Sequence, residues 1–131
     1  MNTYVTALRL ITEIHSPSPG QGLARVESAR ERLLEHLELA TENTRLTIRG
    51  VRVEMTPEEI EGARGQVKRF HFTVLVVVEI GVNASEKAAE EVKAALGRIH
   101  DYAQAAFAET EVKLKEVLMG KVHLSKPYHP C

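Results

Sequence analysis

FHFTVLVVVEIGV, running from Phe70 to Val82, constrains this chain more than any other stretch. Phe70, Phe72, Val74, Val76, Val78 and Ile80 form one wholly apolar row at period two, and Leu75 and Val77 add apolar groups to the alternate row. That period belongs to a β-strand, and apolar side chains on both faces belong to a central one. The rest of the chain must supply strands to flank this segment and helices to cover it.

Leu23 to Ala40 has helical spacing. Leu23, Val26, Ala29 or Arg30, Leu33, Leu34 and Leu37 recur at three and four, while Arg25, Ser28, Arg32, Glu35 and Glu38 face away. NASEKAAEEVKAALGRIHDYAQAAF carries a second stripe in Ala89, Val92, Leu96, Ile99, Ala103 and Ala106, with Asn83 and Glu86 spaced as a capping box. Tyr4 to Ile14 fits either period, since Tyr4, Ala7, Leu8 and Ile11 make a helical face, but its Val, Ile and Thr content and the following S-P-S-P favour a strand. RLTIRGVRVEM alternates as well. Its apolar parity switches at Gly50, from Leu46 and Ile48 to Val51, Val53 and Met55, which predicts a β-bulge. Thr56 and Glu59 match a capping box with Pro57 at the first helical position, so a short helical turn is expected at the tip of a long hairpin. ETEVKLKEVLMGKVHL supplies a last strand through Val112 and Leu114, interrupted at Gly120, before the turn-rich SKPYHPC.

The order β-α-β-β-α-β predicts an α+β fold, a ferredoxin-like βαββαβ sandwich. In it an antiparallel sheet carries two helices on one face and a long hairpin between its second and third strands. With 131 residues and no low-complexity linker, residues 1–131 are expected to form a single domain. The other sheet face would leave Leu75 and Val77 uncovered, and a second copy of the chain is the economical cover.

HSPSPGQG, His15 to Gly22, falls at the first strand-to-helix turn, where free N–H groups and the helix dipole can hold an anion. Ser18, Gly20 and Gly22 are the candidate anion-binding residues. Arg25, however, stands where the dinucleotide fingerprint has its third glycine, and the G-K-S/T of a phosphate loop is missing, so a structural corner is favoured. Six histidines, His15, His36, His71, His100, His123 and His129, include neither an H-x-x-x-H nor an H-x-H pair. His129 with Cys131 is the one close soft-ligand pair, and no metal or cofactor is expected. His71 reads as a sheet-surface or interface residue, and Ser16, Ser18, Ser28, Ser85 and Ser125 sit in turn, cap or solvent contexts without an identifiable base. No catalytic residue is predicted, and the chain is not expected to be an enzyme.

Lys and Arg total 17 against 18 Asp and Glu, so no global field attracts nucleic acid or an acidic membrane. The charges are nonetheless sorted. Arg45, Arg49, Arg52, Arg64, Lys68 and Arg69 gather on the hairpin, and Glu86, Glu90 and Glu91 at the start of the second long helix. The predicted interface between copies therefore joins Arg45, Arg49, Arg52, Arg69, His71, Leu75 and Val77 with Glu86, Glu90 and Glu91. Two alternatives stand beside it. One is a small-ligand or phosphate-binding regulatory or catalytic domain using residues 16–22. The other is a nucleic-acid binder using the hairpin arginines, which lack the interleaved aromatics of a single-strand platform. A single cysteine excludes an intrachain disulfide, the first residues lack a basic leader, and no apolar run approaches the ~18 residues of a spanning helix. A soluble protein is expected, cytoplasmic or part of a virion if phage-encoded, without a membrane partner.

The succession of a long hairpin, the strand FHFTVLVVVEIGV, the helix ASEKAAEEVKAALGRIH and a last strand is similar to the second half of small phage tail-terminator and tail-completion (neck) proteins. It covers about half the chain. The resemblance implies a homo-oligomeric ring at the end of the tail tube or in the neck, in contact with other tail or neck proteins and without enzymatic activity. It carries over no functional residue, and the N-terminal third departs from families that begin with a helix followed directly by a strand.

Overall fold

The computed structural model describes residues 2–60 and 67–125. Its sheet is built around two strands of 15 residues, β1 (Asn2–Ser16) and β4 (Lys68–Val82), which pair antiparallel from Asn2 against Val82 to Ser16 against Lys68. The Tyr4–Ile14 segment is thus a strand. The β2 strand (Leu46–Val53) lies along the other edge of β4, and β5 (Lys113–Met119) along the other edge of β1, both antiparallel. β2 pairs only with the later part of β4, so β3 (Glu58–Ile60) pairs with Arg69–His71 beyond it. β6 (His123–Leu124) does the same for the Tyr4–Val5 end of β1. Unpaired N–H and C=O groups along a central strand are costly, and short added strands satisfy them.

The expected ferredoxin-like βαββαβ sandwich of two helices is thereby corrected. Among the described residues the chain forms a six-stranded antiparallel sheet in the order β2-β4-β1-β5, with β3 added to β4 and β6 to β1, and three helices. The Leu23–Ala40 run accounts for the extra helix, because it breaks at Ala29 into α1 (Pro19–Ser28) and α2 (Arg30–Ala40). The Ala29 N–H turns back to Val26 O at 3.1 Å and the Ser28 hydroxyl donates to Arg25 O at 2.8 Å, a local bond that competes with the helical ladder. The hairpin is corrected too. Thr56 and Glu59 do not cap a helical turn, because Glu58–Ile60 is extended against β4. A single turn stands on its own poorly, whereas three strand residues gain a ladder at once. Likewise α3 (Ser85–Phe107) begins behind Ala84 with no side-chain cap bond, so Asn83 and Glu86 form no capping box.

Even-numbered residues of β1 and β4 point to the helices. Leu8, Leu10, Ile14, Phe70, Phe72, Val74, Val76, Val78 and Ile80 meet Val26, Leu33, Leu37, Val92, Ile99 and Ala103 in one buried core, with Leu96 half-buried at its margin. Two register shifts keep the neighbouring strands in step with this face. Arg49 is the extra residue between Ile48 and Gly50, so Leu46 as well as Val51 and Val53 are buried despite their opposite parity. Lys115 is the extra residue in β5, between Leu114 opposite Thr12 and Glu116 opposite Ile11.

Two glycines let main chain and ring approach closely. A Cβ on Gly22 would lie 3.1 Å from Phe72 Cε2 and 3.3 Å from Ile14 Cγ2, so α1 sits closer on the sheet than a side chain there would comfortably allow. Gly22→Ala should cost about 1 kcal/mol, at the low end for overpacking because the neighbours are side chains that can give slightly. Urea denaturation checks it through a lowered midpoint at unchanged m-value. At Gly120 the obstacle is backbone. A Cβ there would lie 2.7 Å from Ala7 O, the atom that accepts the Gly120 N–H at 3.0 Å.

Candidate functional site

Odd-numbered residues of β1 and β4 form the second sheet face, and no helix of the described chain packs on it. Val5, Ala7, Ile11, Leu75 and Leu118 are half-buried there, and Val77 remains 37% exposed. Among these apolar groups stand charged ones: Arg9 between Leu75 and Leu118, Arg52 on the far side of Leu75, and Glu79 opposite Val5.

At the His15 end of this face lies its one buried carboxylate. Glu13 is 8% exposed, with His71 opposite on β4 and Lys113 opposite on β5. His71 Nε2 donates to Glu13 Oε1 at 3.1 Å, and Arg69 Nε lies 3.7 Å from the same oxygen. Lys115 Nζ lies 3.7 Å and His15 Nε2 3.9 Å from Glu13 Oε2. The bulge in β5 contributes here by setting the extra residue Lys115 beside this carboxylate. Burial pushes the Glu13 carboxyl up. The His71 hydrogen bond and the charges of Lys115, Arg69 and His71 outweigh that, leaving it below the usual carboxylate range. Glu13 is therefore ionised at neutral pH, and its contacts tie β1 to β4 and β5.

The other buried polar groups are also satisfied. Thr12 donates to Phe72 O at 2.8 Å, Thr6 to Gly120 O at 3.2 Å, Ser16 to Ser18 O at 2.9 Å and Thr41 to Leu37 O at 3.1 Å.

The candidate residues from the sequence distribute unevenly. Ser18 is the N-cap of α1: its hydroxyl accepts the Gln21 N–H at 3.2 Å and its carbonyl the Gly22 N–H at 3.1 Å. Pro19 has no N–H, so the first turn keeps few donors for an anion. Gly20 is open, while Gly22 serves helix–sheet packing. Arg45 lies 3.8 Å from Glu91 within the same chain, and Arg49 Nε 2.6 Å from Glu79. The pairing expected between copies is thus partly made inside one chain. Arg69 and His71 converge on Glu13, and Leu75 and Val77 form the open face. Arg52, Glu86 and Glu90 have no ion-pair partner among the described residues. Arg64, His129 and Cys131 lie outside the described residues. Among the described residues no group of three His, Cys, Asp or Glu is placed to hold a metal ion, and no helix is long and apolar enough to cross a membrane.

Glu13 itself escaped the sequence reading. Its partner His71 lies 58 positions away, and only the parity of Glu13 with Arg9, Ile11 and His15 marks it as a residue of the open face.

No protein-family model and no curated protein matches this chain. Solved structures with partial likeness include the extracellular region of zebrafish Gpr126/Adgrg6, with TM-score 0.49 at 12% identity over 92% of this chain and 14% of that one. Others are the aminopeptidase PepT from Bacillus cereus, TM-score 0.43 at 10% identity over 95% and 31%, and the class II 3-hydroxy-3-methylglutaryl-CoA reductase from Streptococcus pneumoniae, TM-score 0.46 at 14% identity over 88% and 27%. The chain spans less than a third of the length of each, and a likeness at this level says nothing about its activity.

Proposed function

We propose that this chain is a non-enzymatic assembly subunit that works by self-association. One observation carries the reading: a sheet face holding Val5, Ala7, Ile11, Leu75, Val77 and Leu118 has no helix over it among the described residues, while the opposite face carries the helices and the buried core. Apolar groups arranged this way lose water contact only when another molecule supplies the second layer. The polar groups beside them serve the sheet itself, since Glu13 is bonded to His71 and lies among cations, and the buried hydroxyls are bonded to carbonyls.

The narrower form of the proposal is a ring subunit of the tail-terminator or neck kind, acting in the cytoplasm or in the virion of a phage. Its support is the sequence pattern of the second half. Light scattering on the eluting protein tests the broad proposal, with an oligomer expected, and a monomer at tens of micromolar overturns it. Gene neighbours coding for portal, capsid or tail proteins are expected for the narrower form, and a metabolic operon overturns it.

A further inference from the structure

We infer that the open sheet face takes a second copy of this chain across a two-fold axis perpendicular to the strands, which closes the contact at two copies. The inference rests on the assembly reading above and adds the partner and its orientation. Size fits. Four strands about 4.8 Å apart and roughly nine residues of length present on the order of 600 Å² of projected face, close to the ~800 Å² per partner of a standard interface.

Charge decides the occupant. On and beside this face Arg9, Arg52 and Lys113 have no ion-pair partner among the described residues, and neither have Glu54, Glu58 and Glu116. Unmatched cations and unmatched carboxylates in equal number, around an apolar band, suit a partner with the same mixture. A polyanion such as nucleic acid would leave the carboxylates opposed.

Row positions decide the orientation. Arg52, Leu75, Arg9 and Leu118 lie abreast across four strands. In the next row lie Thr73, Ile11 and Glu116, continued by Glu54, whose N–H donates to Thr73 O at 2.9 Å. Those rows are about 6.8 Å apart. A two-fold axis between them, perpendicular to the strands, lays each row over the other: Arg52 over Glu54 of the second copy, and Arg9 one strand from Glu116 of the second copy. An axis along the strands instead lays Glu54 over Glu116 and Arg52 over Leu118, opposing like charges. The contact is isologous, so any larger ring must be built from these dimers through strand edges.

Arg52→Glu and Glu54→Arg are changes at exposed positions, and each sets like charges over one another at two symmetric places. Each variant alone should raise the dimer dissociation constant by at least about tenfold. Mixed in equal amounts they should form a heterodimer of near wild-type affinity, because both contacts then join opposite signs. Analytical ultracentrifugation reads these constants, with circular dichroism to show that the variants are folded. The pair Arg9→Glu and Glu116→Arg serves if one of the first two is not. Variants that dimerise like the wild type, or a mixture of folded variants that gains nothing, overturn the placement while a wild-type oligomer leaves the assembly reading standing. A monomeric wild type overturns both. A monomeric wild type that binds a DNA duplex through Arg52 identifies a nucleic acid as the occupant instead.

Discussion

Phe72→Ala lowers the free energy of unfolding by about 3–5 kcal/mol, the largest effect expected of any single change in this chain. Phe72 is fully buried and is the largest of the fully buried side chains. Its ring lies beneath Gly22 of α1 and 6.4 Å from the Phe70 ring, tilted by 54°. The cost of a removed side chain depends on how far its surroundings can collapse into the space. Here collapse is restricted by the pairing with β1 and by α1 above. Phe72 sits on β4 opposite Thr12 of β1, and its own carbonyl accepts the Thr12 hydroxyl at 2.8 Å. Denaturant titration should show the midpoint falling with the m-value unchanged. A loss below about 1.5 kcal/mol, the range of volume-conserving swaps, would mean that α1 moves freely onto the sheet and that the close Gly22 contact is not a constraint.

Glu13→Ala should cost about 2 kcal/mol. Removing one member of a buried charged group leaves the others desolvated and unpaired, which costs ~3–5 kcal/mol when all are deeply buried. Lys115 and His71 are partly exposed, and water recovers some of that loss. The same residue carries a pH signature. The folded carboxyl lies below its ordinary value, so the unfolded chain takes up the proton first as the solution is acidified. The contribution of Glu13 is therefore complete above the ordinary carboxylate pKa of ~4.3 and declines as the pH falls toward the depressed folded value. His71, Lys115 and Arg69 hold the carboxyl ionised, and His15 on β1 also faces it, at 3.9 Å. Glu13→Gln should flatten the acid limb of stability below the ordinary carboxylate pKa relative to wild type. An unchanged slope would show that the carboxyl is not depressed in the folded state.

The chain's alternation was legible where neighbouring side chains compete for one face. The parity switch at Gly50 announces the register shift between Ile48 and Gly50, because a period-two pattern can change sides only where an extra residue enters the strand. The same logic marks β5, where Val112 and Leu114 share one parity and Val117 and Met119 the other around Lys115. The anion turn at residues 16–22 was ambiguous in sequence, since the same Pro and Gly residues serve a phosphate cradle or a tight corner. In the structure Gly22 serves close packing against Phe72.

Sequence alone determined that β4 is a strand, that its even-numbered residues line a core, and that Leu75 and Val77 fall on the other face. Pleating forces each of those outcomes from local order. Tertiary structure alone decided that Glu58–Ile60 is a strand rather than a helical turn, that the first helical run breaks at Ala29, and that Glu13 is ionised among His71, Arg69 and Lys115. In the strand and in the carboxylate the deciding partners are main-chain groups and charges far away along the chain. No local pattern can place such groups within hydrogen-bond distance before the sheet has formed.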